Sequence, residues 1–279
     1  MIRRMREMDV NWALKLANAE GWSYSRTDME RLLALTRAGF LVIEKAAAPA
    51  GMASAVLYGK RGVIGNIVVE PRFRGKGLAS SLVEACAAYL KKAGAEEIYL
   101  YSYEQRTKFY ERFGFRAGDA VLTMKGRPKT AAEAQASISR IDDDMGPVAS
   151  LDRELFGSDR SRLLRRLRDE APELALLASG AGGQVEGYVF GRGARDNGYE
   201  IGPWMSAGQG CEGLLDSLLS AIPVGSQAWV SVPEKRVQAV MALSERGFKL
   251  AFKTIEMRLH DAPIAMDGRL LAICGLEKG

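Results

Sequence analysis

Asn66-Ile67-Val68-Val69-Glu70-Pro71-Arg72-Phe73-Arg74-Gly75-Lys76-Gly77-Leu78-Ala79-Ser80-Ser81-Leu82 reads as a strand, a glycine turn and the start of a helix. The apolar run through Val69 stops at Pro71, which cannot donate to a sheet ladder. Gly75 and Gly77 let the backbone turn tightly and come close to a ligand. The first amides of the helix that follows lack an intrahelical acceptor, and the helix dipole adds positive potential at the same spot. Arg74 and Lys76 supply flanking charge. In physical terms this is a cradle for a pyrophosphate. It is not a Walker A loop, because Lys76 is followed by Gly77 rather than Ser or Thr, and it lacks the glycine order of a dinucleotide fold.

Outward from the cradle, periodicity predicts a helix over residues 78–93, with Leu82, Val83, Cys86 and Leu90 on one stripe and Gly94 as its stop. A strand over 98–102, a short helix through Arg112 and a strand over 121–125 follow. Upstream, helices are expected over 10–19 and 27–37, then strands over 40–45, 50–58 and 63–69. After the two helices, strands come in a run and then alternate with helices. That order predicts an α/β fold on a mixed sheet.

Composition narrows the class. The 279 residues are 47% hydrophobic and 26% charged, ordinary for a globular protein of about two domains. A net charge of +5 is spread along the chain instead of gathered in a patch, which argues against a nucleic-acid partner. The densest basic run, Arg160 to Arg168, carries Leu163, Leu164 and Leu167 at helical spacing and reads as an amphipathic helix with a wet basic face. Cys86, Cys211 and Cys274 are scattered and His260 is the one histidine, so neither a disulfide framework nor a metal site is expected. His260, beside Asp261, reads as a surface residue. The start, MIRRMREMDV, has no apolar core of a signal peptide, and no segment is apolar for the ~20 residues a membrane span needs. A cytoplasmic protein with no membrane partner is the expectation.

A polar, alanine-rich stretch, GRPKTAAEAQA, separates two patterned halves. Domains are therefore expected at 1–126 and 138–279, joined by a linker over 127–137. The halves echo one another in order. Ile2-Arg3-Arg4-Met5 pairs with Ile138-Ser139-Arg140-Ile141, Tyr58-Gly59-Lys60-Arg61-Gly62 with Phe190-Gly191-Arg192-Gly193, and Glu111-Arg112-Phe113-Gly114-Phe115 with Ser244-Glu245-Arg246-Gly247-Phe248. Their near-constant offset points to a duplication.

Arg74-Gly75-Lys76-Gly77-Leu78-Ala79 resembles the acetyl-coenzyme A signature of the GNAT superfamily of N-acetyltransferases, Q/R-x-x-G-x-G/A. Phe109-Tyr110-Glu111-Arg112-Phe113-Gly114-Phe115, about 35 residues on, is similar to the family's closing Y-x-x-x-G-F motif. The resemblance implies two tandem GNAT-like domains and an acetyl-CoA co-substrate. It implies that two strands splay apart, that the backbone of Ile67, Val68 and Val69 pairs with the pantetheine arm, and that Arg74, Gly75, Lys76, Gly77, Leu78, Ala79 and Ser80 hold the phosphates. It also implies direct attack by an amine on the thioester, with Tyr110 protonating the departing thiolate. A phenol of pKa ~10 and a thiol of ~8.5 are close enough that positioning decides.

Some positions depart from the family pattern. Many members have Asn seven residues before the tyrosine, where this chain has Tyr103. No general base stands out; Glu20 and Glu104 are candidates, each with a solvated role as the alternative. Trp22, Tyr24 and Trp204 are candidates for a pocket wall or for core. In the second half, the cradle's counterpart runs Met205-Ser206-Ala207-Gly208-Gln209-Gly210-Cys211 without the signature, and Tyr110 maps to Leu243. That half, which also carries the Ile201-Gly202-Pro203-Trp204 and Glu277-Lys278-Gly279 patterns of tandem-GNAT proteins, is expected to be a degenerate copy. The functions left open are acetyl transfer to a small amine, transfer to a protein N-terminus or lysine, and non-catalytic sensing of an acyl-CoA.

Overall fold

The computed structural model describes residues 1–128, 137–194, 197–207, 211–259 and 269–279. Two compact units emerge. The first comprises Met1–Gly118, Glu256–Ala262 and Leu276–Gly279; the second comprises Asp119–Ile255 and Pro263–Gly275.

The first unit runs β1 (Ile2–Arg4), α1 (Val10–Ala19), α2 (Arg26–Leu35), β2 (Phe40–Lys45), β3 (Ala48–Tyr58), β4 (Arg61–Val69), α3 (Leu78–Lys92), β5 (Glu97–Tyr103) and α4 (Thr107–Glu111), and ends in the first residues of β6 (Phe115–Gly126). β1 to β4 pair antiparallel in sequence order, and β5 joins β4 parallel across the α3 crossover. Local chemistry sets several boundaries. Ser25 caps α2 by a capping box: the Asp28 N–H donates to Ser25 Oγ at 3.2 Å and the Ser25 N–H donates to Asp28 Oδ2 at 2.9 Å. Leu82, Val83, Cys86 and Leu90 of α3 are fully buried, as their stripe requires. Gly62 lies so close under α3 that a Cβ there would come within 2.8 Å of Leu90 Cδ1. This contact identifies the sheet face that α3 covers.

The second unit contains the rest of β6, β7 (Ile138–Arg140), α5 (Gly146–Phe156), α6 (Ser161–Glu170), β8 (Ala175–Ser179), β9 (Val185–Gly193), β10 (Tyr199–Ser206), α7 (Cys211–Ala221), β11 (Ala228–Pro233), α8 (Val237–Glu245), most of β12 (Lys249–Leu259) and β13 (Leu270–Ala272). β7, β8, β9 and β10 pair antiparallel in order, and β11 joins β10 parallel. This is the same succession as β1 to β5, the structural form of the duplication. Both units are thus mixed α/β sheets.

The changeover between units falls at Gly118/Asp119, inside β6, earlier than the composition break at 127–137. The physical reason is that β6 is a single 12-residue strand whose residues Val121 to Gly126 pair with β11. Residues 129–136 of the expected linker, and His260, lie outside the described residues. A correction concerns Arg160. Rather than lying on a wet basic face, it is buried, with its Nε donating to Asp152 Oδ1 at 3.0 Å and its guanidinium 4.0 Å above the Phe156 ring. Leu163, Leu164 and Leu167 do face the core.

Candidate functional site

Because β4 and β5 are parallel, their carboxyl ends open on the same edge of the sheet, where ligands of open α/β sheets collect. The cradle follows β4 and Tyr110 follows β5, so the topology brings the two sequence motifs to one edge. The ladder between the strands covers only Arg61, Gly62, Val63 and Ile64 against Glu97, Ile98, Tyr99 and Leu100. β4 then runs on to Val69 and β5 to Tyr103 without further pairing to each other among the described residues, and the strands part.

The bend has a local cause. The β3–β4 register slips between Met52 and Ser54, and Asn66 sits opposite the slip with φ of 54°, a left-handed conformation. Asn66 Nδ2 donates to Ser54 Oγ at 3.0 Å, while Asn66 Oδ1 is buried and accepts no hydrogen bond. Past the bulge, the Glu70 N–H donates to Ala50 O at 2.9 Å, on the β3 side. Alternation along the strand then turns the Val69 N–H, and by the same parity the Ile67 N–H, to the open side, while Val68 stays in the β3 ladder opposite Met52. Of the three residues expected to meet a pantetheine arm, Ile67 and Val69 have the amides facing the gap.

After β4 the chain makes one turn of 3-10 helix (Pro71–Phe73), and then Gly75 and Gly77 both take left-handed φ, 75° and 76°. Gly77 is the N-cap of α3 and no side chain caps that end. The amides of Leu78, Ala79 and Ser80 therefore have no helical acceptor. Residues 74–77 are exposed, and a Cβ at Gly75 or Gly77 would meet no atom within 4 Å. The turn is open space lined by N–H groups, a fit for an anion at a 15-residue helix. Arg74 is already engaged: its Nε donates to Val69 O at 2.9 Å and its guanidinium pairs with Glu20. Lys76 reaches Arg72 O at 3.4 Å and stands over the Phe73 ring.

Tyr110 sits on α4 against Phe109 and Phe115, with ring centroids 5.0 and 6.3 Å away at near-perpendicular angles. Burial pushes its phenol up to about 12, against a smaller downward pull from Arg106. Full proton transfer from such a group to a thiolate of pKa ~8.5 would be uphill by about 5 kcal/mol. The phenol therefore keeps its proton across the usual pH range.

Of the other candidates, Glu20 is tied to Arg74, and Glu104 is exposed on the turn after β5. Trp22 and Tyr24 are half-buried and meet edge to face at 6.2 Å. Tyr103 hydrogen-bonds with the Trp22 indole; burial raises its phenol, and nearby Glu20 adds to the rise. Glu20, Trp22, Arg74 and Tyr103 therefore cluster at the carboxyl ends of β4 and β5. Trp204, in contrast, is fully buried in the core of the second unit. Asn66 was not singled out from sequence; a Gly-Asn pair inside an apolar strand was the available signal.

The corresponding place in the second unit is filled. β10 and β11 pair through Tyr199, Glu200 and Ile201 and then part, as β4 and β5 do. Here β13 enters the opening: Ala272 and Leu270 pair with Trp204 and Met205, and the Ile273 N–H donates to Ser231 O of β11 at 3.0 Å. Leu243, at the position of Tyr110, is a buried core residue. Residues 208–210, in the cradle's counterpart, lie outside the described residues. Among the described residues, no cluster of His, Cys, Asp or Glu could hold a metal ion, and no helix is long and apolar enough to cross a membrane.

Comparison with known proteins agrees with this arrangement. Residues 9–115 match the family model described as Acetyltransferase (GNAT) family, and residues 148–271 match a second described as Acetyltransferase (GNAT) domain. An uncharacterized N-acetyltransferase, YitH, from Bacillus subtilis is 23% identical over 250 residues, covering 88% of this chain and 86% of that protein. Glucosamine 6-phosphate N-acetyltransferase of Trypanosoma brucei brucei is 38% identical over 63 residues, 23% of this chain and 43% of its own. The fold is shared with a putative acetyltransferase from Pyrococcus horikoshii, with TM-score 0.84 at 19% identity over 100% of this chain and 95% of that one. It is also shared with a tandem GNAT protein from the clavulanic acid biosynthesis pathway, with TM-score 0.67 at 13% identity over 94% and 99% of the two chains.

Proposed function

The chain belongs to the GNAT acetyltransferase family, and from that premise we propose that its first unit transfers an acetyl group from acetyl-CoA to the amine of a small compound. The observation that carries this reading is the opening between β4 and β5 beside a glycine turn of exposed, uncapped amides. The amides of Leu78, Ala79 and Ser80, with Lys76, hold the diphosphate. Arg74 exchanges its contact with Glu20 for the same anion or keeps Val69 O in place. The Ile67 and Val69 N–H groups face the gap, where one of them polarises the thioester carbonyl. The co-substrate supplies an activated acyl carbon and a thiolate leaving group. Tyr110 steadies the charge that develops on sulfur by hydrogen bonding, since its raised pKa keeps the proton on the phenol.

The second unit does not bind acetyl-CoA in this reading, because β13 occupies the opening, and Leu243 at the position of Tyr110 has no hydroxyl to donate. It acts as a scaffold. A small amine is favoured as acceptor by the local likeness to an enzyme named for an amino sugar phosphate. The test is thiol release from acetyl-CoA with a panel of amines, amino sugars and peptides, alongside a binding titration of coenzyme A. One coenzyme per chain and turnover on a small amine are expected. Two sites per chain, turnover confined to peptides, or saturable binding without turnover on any acceptor would each overturn the reading.

A further inference from the structure

Arg74 makes two different contacts. Its Nε donates to Val69 O at 2.9 Å, and its Nη2 donates to the Glu20 carboxylate. The N–H and C=O of one strand residue point the same way, so Val69 O faces the gap between β4 and β5 as the Val69 N–H does. The guanidinium is therefore held at the mouth of that gap. Glu20 reaches it from the turn that closes α1, and that turn is firmly built. The Glu20 and Gly21 N–H groups donate to Ala17 O and Asn18 O, both at 3.1 Å, and Gly21 takes a left-handed φ of 80°. The Asn18 side chain then holds both backbone groups of Tyr24, at 3.0 and 2.8 Å. Trp22, in the same turn, hydrogen-bonds with Tyr103 at the end of β5. The turn thus reaches the ends of both strands, and the Glu20–Arg74 pair lies across the mouth.

Magnitudes make this pair exchangeable. The two side chains are 31% and 48% exposed, so water screens the attraction, and the pair is worth about fivefold in an equilibrium at most. A diphosphate diester on the amides of Leu78, Ala79 and Ser80 brings two negative charges to the same guanidinium, against one on Glu20. The anion wins that competition. The Nε contact to Val69 O survives it, because only the outer nitrogens need change partner. The Glu20 backbone stays behind, fixed by the closing turn of α1.

We propose that Glu20 is a positioning residue that competes with the coenzyme for Arg74. It holds the guanidinium at the mouth of the gap in the free protein, gives it up to the diphosphate on binding, and takes it back as free coenzyme leaves. The proposal rests on the coenzyme site described above. Glu20 in this role weakens coenzyme binding and speeds its release, whereas a carboxylate that merely orients Arg74 for the anion would strengthen binding.

The sign of the effect decides the matter. Calorimetric titration of the full chain with coenzyme A is compared for wild type, E20Q, R74M and the double variant E20Q/R74M. E20Q is expected to lower the Kd about threefold to fivefold, with dissociation slowed to match in a stopped-flow displacement. R74M should raise the Kd about tenfold or more. The double variant should agree with R74M within about 1.5-fold, because Glu20 acts through Arg74. Coenzyme binding in E20Q that is unchanged or weaker overturns the inference and leaves the coenzyme site standing, as does an R74M Kd equal to that of the wild type. Equal tightening by E20Q in the wild-type and R74M backgrounds overturns it in favour of plain repulsion between the carboxylate and the anion. A wild type that binds no coenzyme A removes the site and the inference together.

Discussion

Replacing Gly77 with alanine separates the cost of a strained turn from the loss of an anion site. Gly77 has φ of 76° and ψ of 0°, and the added methyl would meet no protein atom within 4 Å. The fold therefore loses only the left-handed penalty, ~1–2 kcal/mol. For a chain of this size that lowers Tm by about 2–8 °C. The methyl projects into the open side of the turn, where the diphosphate is proposed to lie. Displacing the anion from two charge-assisted N–H contacts, at ~1.5–3 kcal/mol each, loses ~3–6 kcal/mol of binding. That corresponds to an increase in Kd of about 10²–10⁴-fold. Gly94 is the control, because it has φ of 92°, is equally free of neighbours within 4 Å, and lies beyond the other end of α3. Gly94→Ala should lower Tm similarly and leave the Kd unchanged. Calorimetric titration with coenzyme A and a thermal melt of each variant give both numbers. Binding by Gly77→Ala within threefold of wild type, or equal weakening by Gly94→Ala, would refute the cradle.

Tyr110→Phe should cut kcat about 100-fold with the coenzyme Kd held within about twofold, as read by steady-state kinetics; full activity would remove the phenol from the reaction. Because burial holds that phenol near 12, it stays protonated throughout the usual assay range and contributes no falling limb to the pH–rate profile. A limb between about pH 8 and 9 that disappears in Tyr110→Phe would contradict this assignment. Asp152→Ala leaves Arg160 and Tyr188 buried without their shared carboxylate and should cost about 3–5 kcal/mol in denaturant unfolding; a loss below about 1 kcal/mol would contradict a paired buried charge. The Cys86 thiol, fully buried and pushed up to about 12, should resist alkylation at pH 8 in the folded protein and react once unfolded, followed by mass spectrometry.

Much of the first unit was legible because its signals are local. The helix from Val10 to Ala19 and the strand from Phe40 to Lys45 have the bounds that periodicity assigns, and α3 ends at Lys92, one residue short of the expected 78–93. The glycine turn before α3 was legible for the same reason: glycines, a proline and a helix start act within a few residues. Long-range packing left less trace. Nothing in the pattern of Arg160-Ser161-Arg162 distinguishes an arginine buried on Asp152 from one in water, since the partner is eight residues away and the Tyr188 hydroxyl that completes the group is farther still. Likewise β13 reads as three ordinary apolar residues; only the fold places them between β10 and β11. Glu277 is the extreme case. Its neighbour Gly65 is more than 200 residues away, and only the assembled first unit puts them together.

The most direct test of the account is amide hydrogen exchange on the full chain with and without a non-reactive coenzyme A analogue. Protection should appear at residues 77–80 and at Ile67 and Val69, with none along β10 or the start of α7. Unchanged exchange at the glycine turn, or protection centred on β10, would contradict the claim that the opening beside β4 is the acyl-coenzyme site.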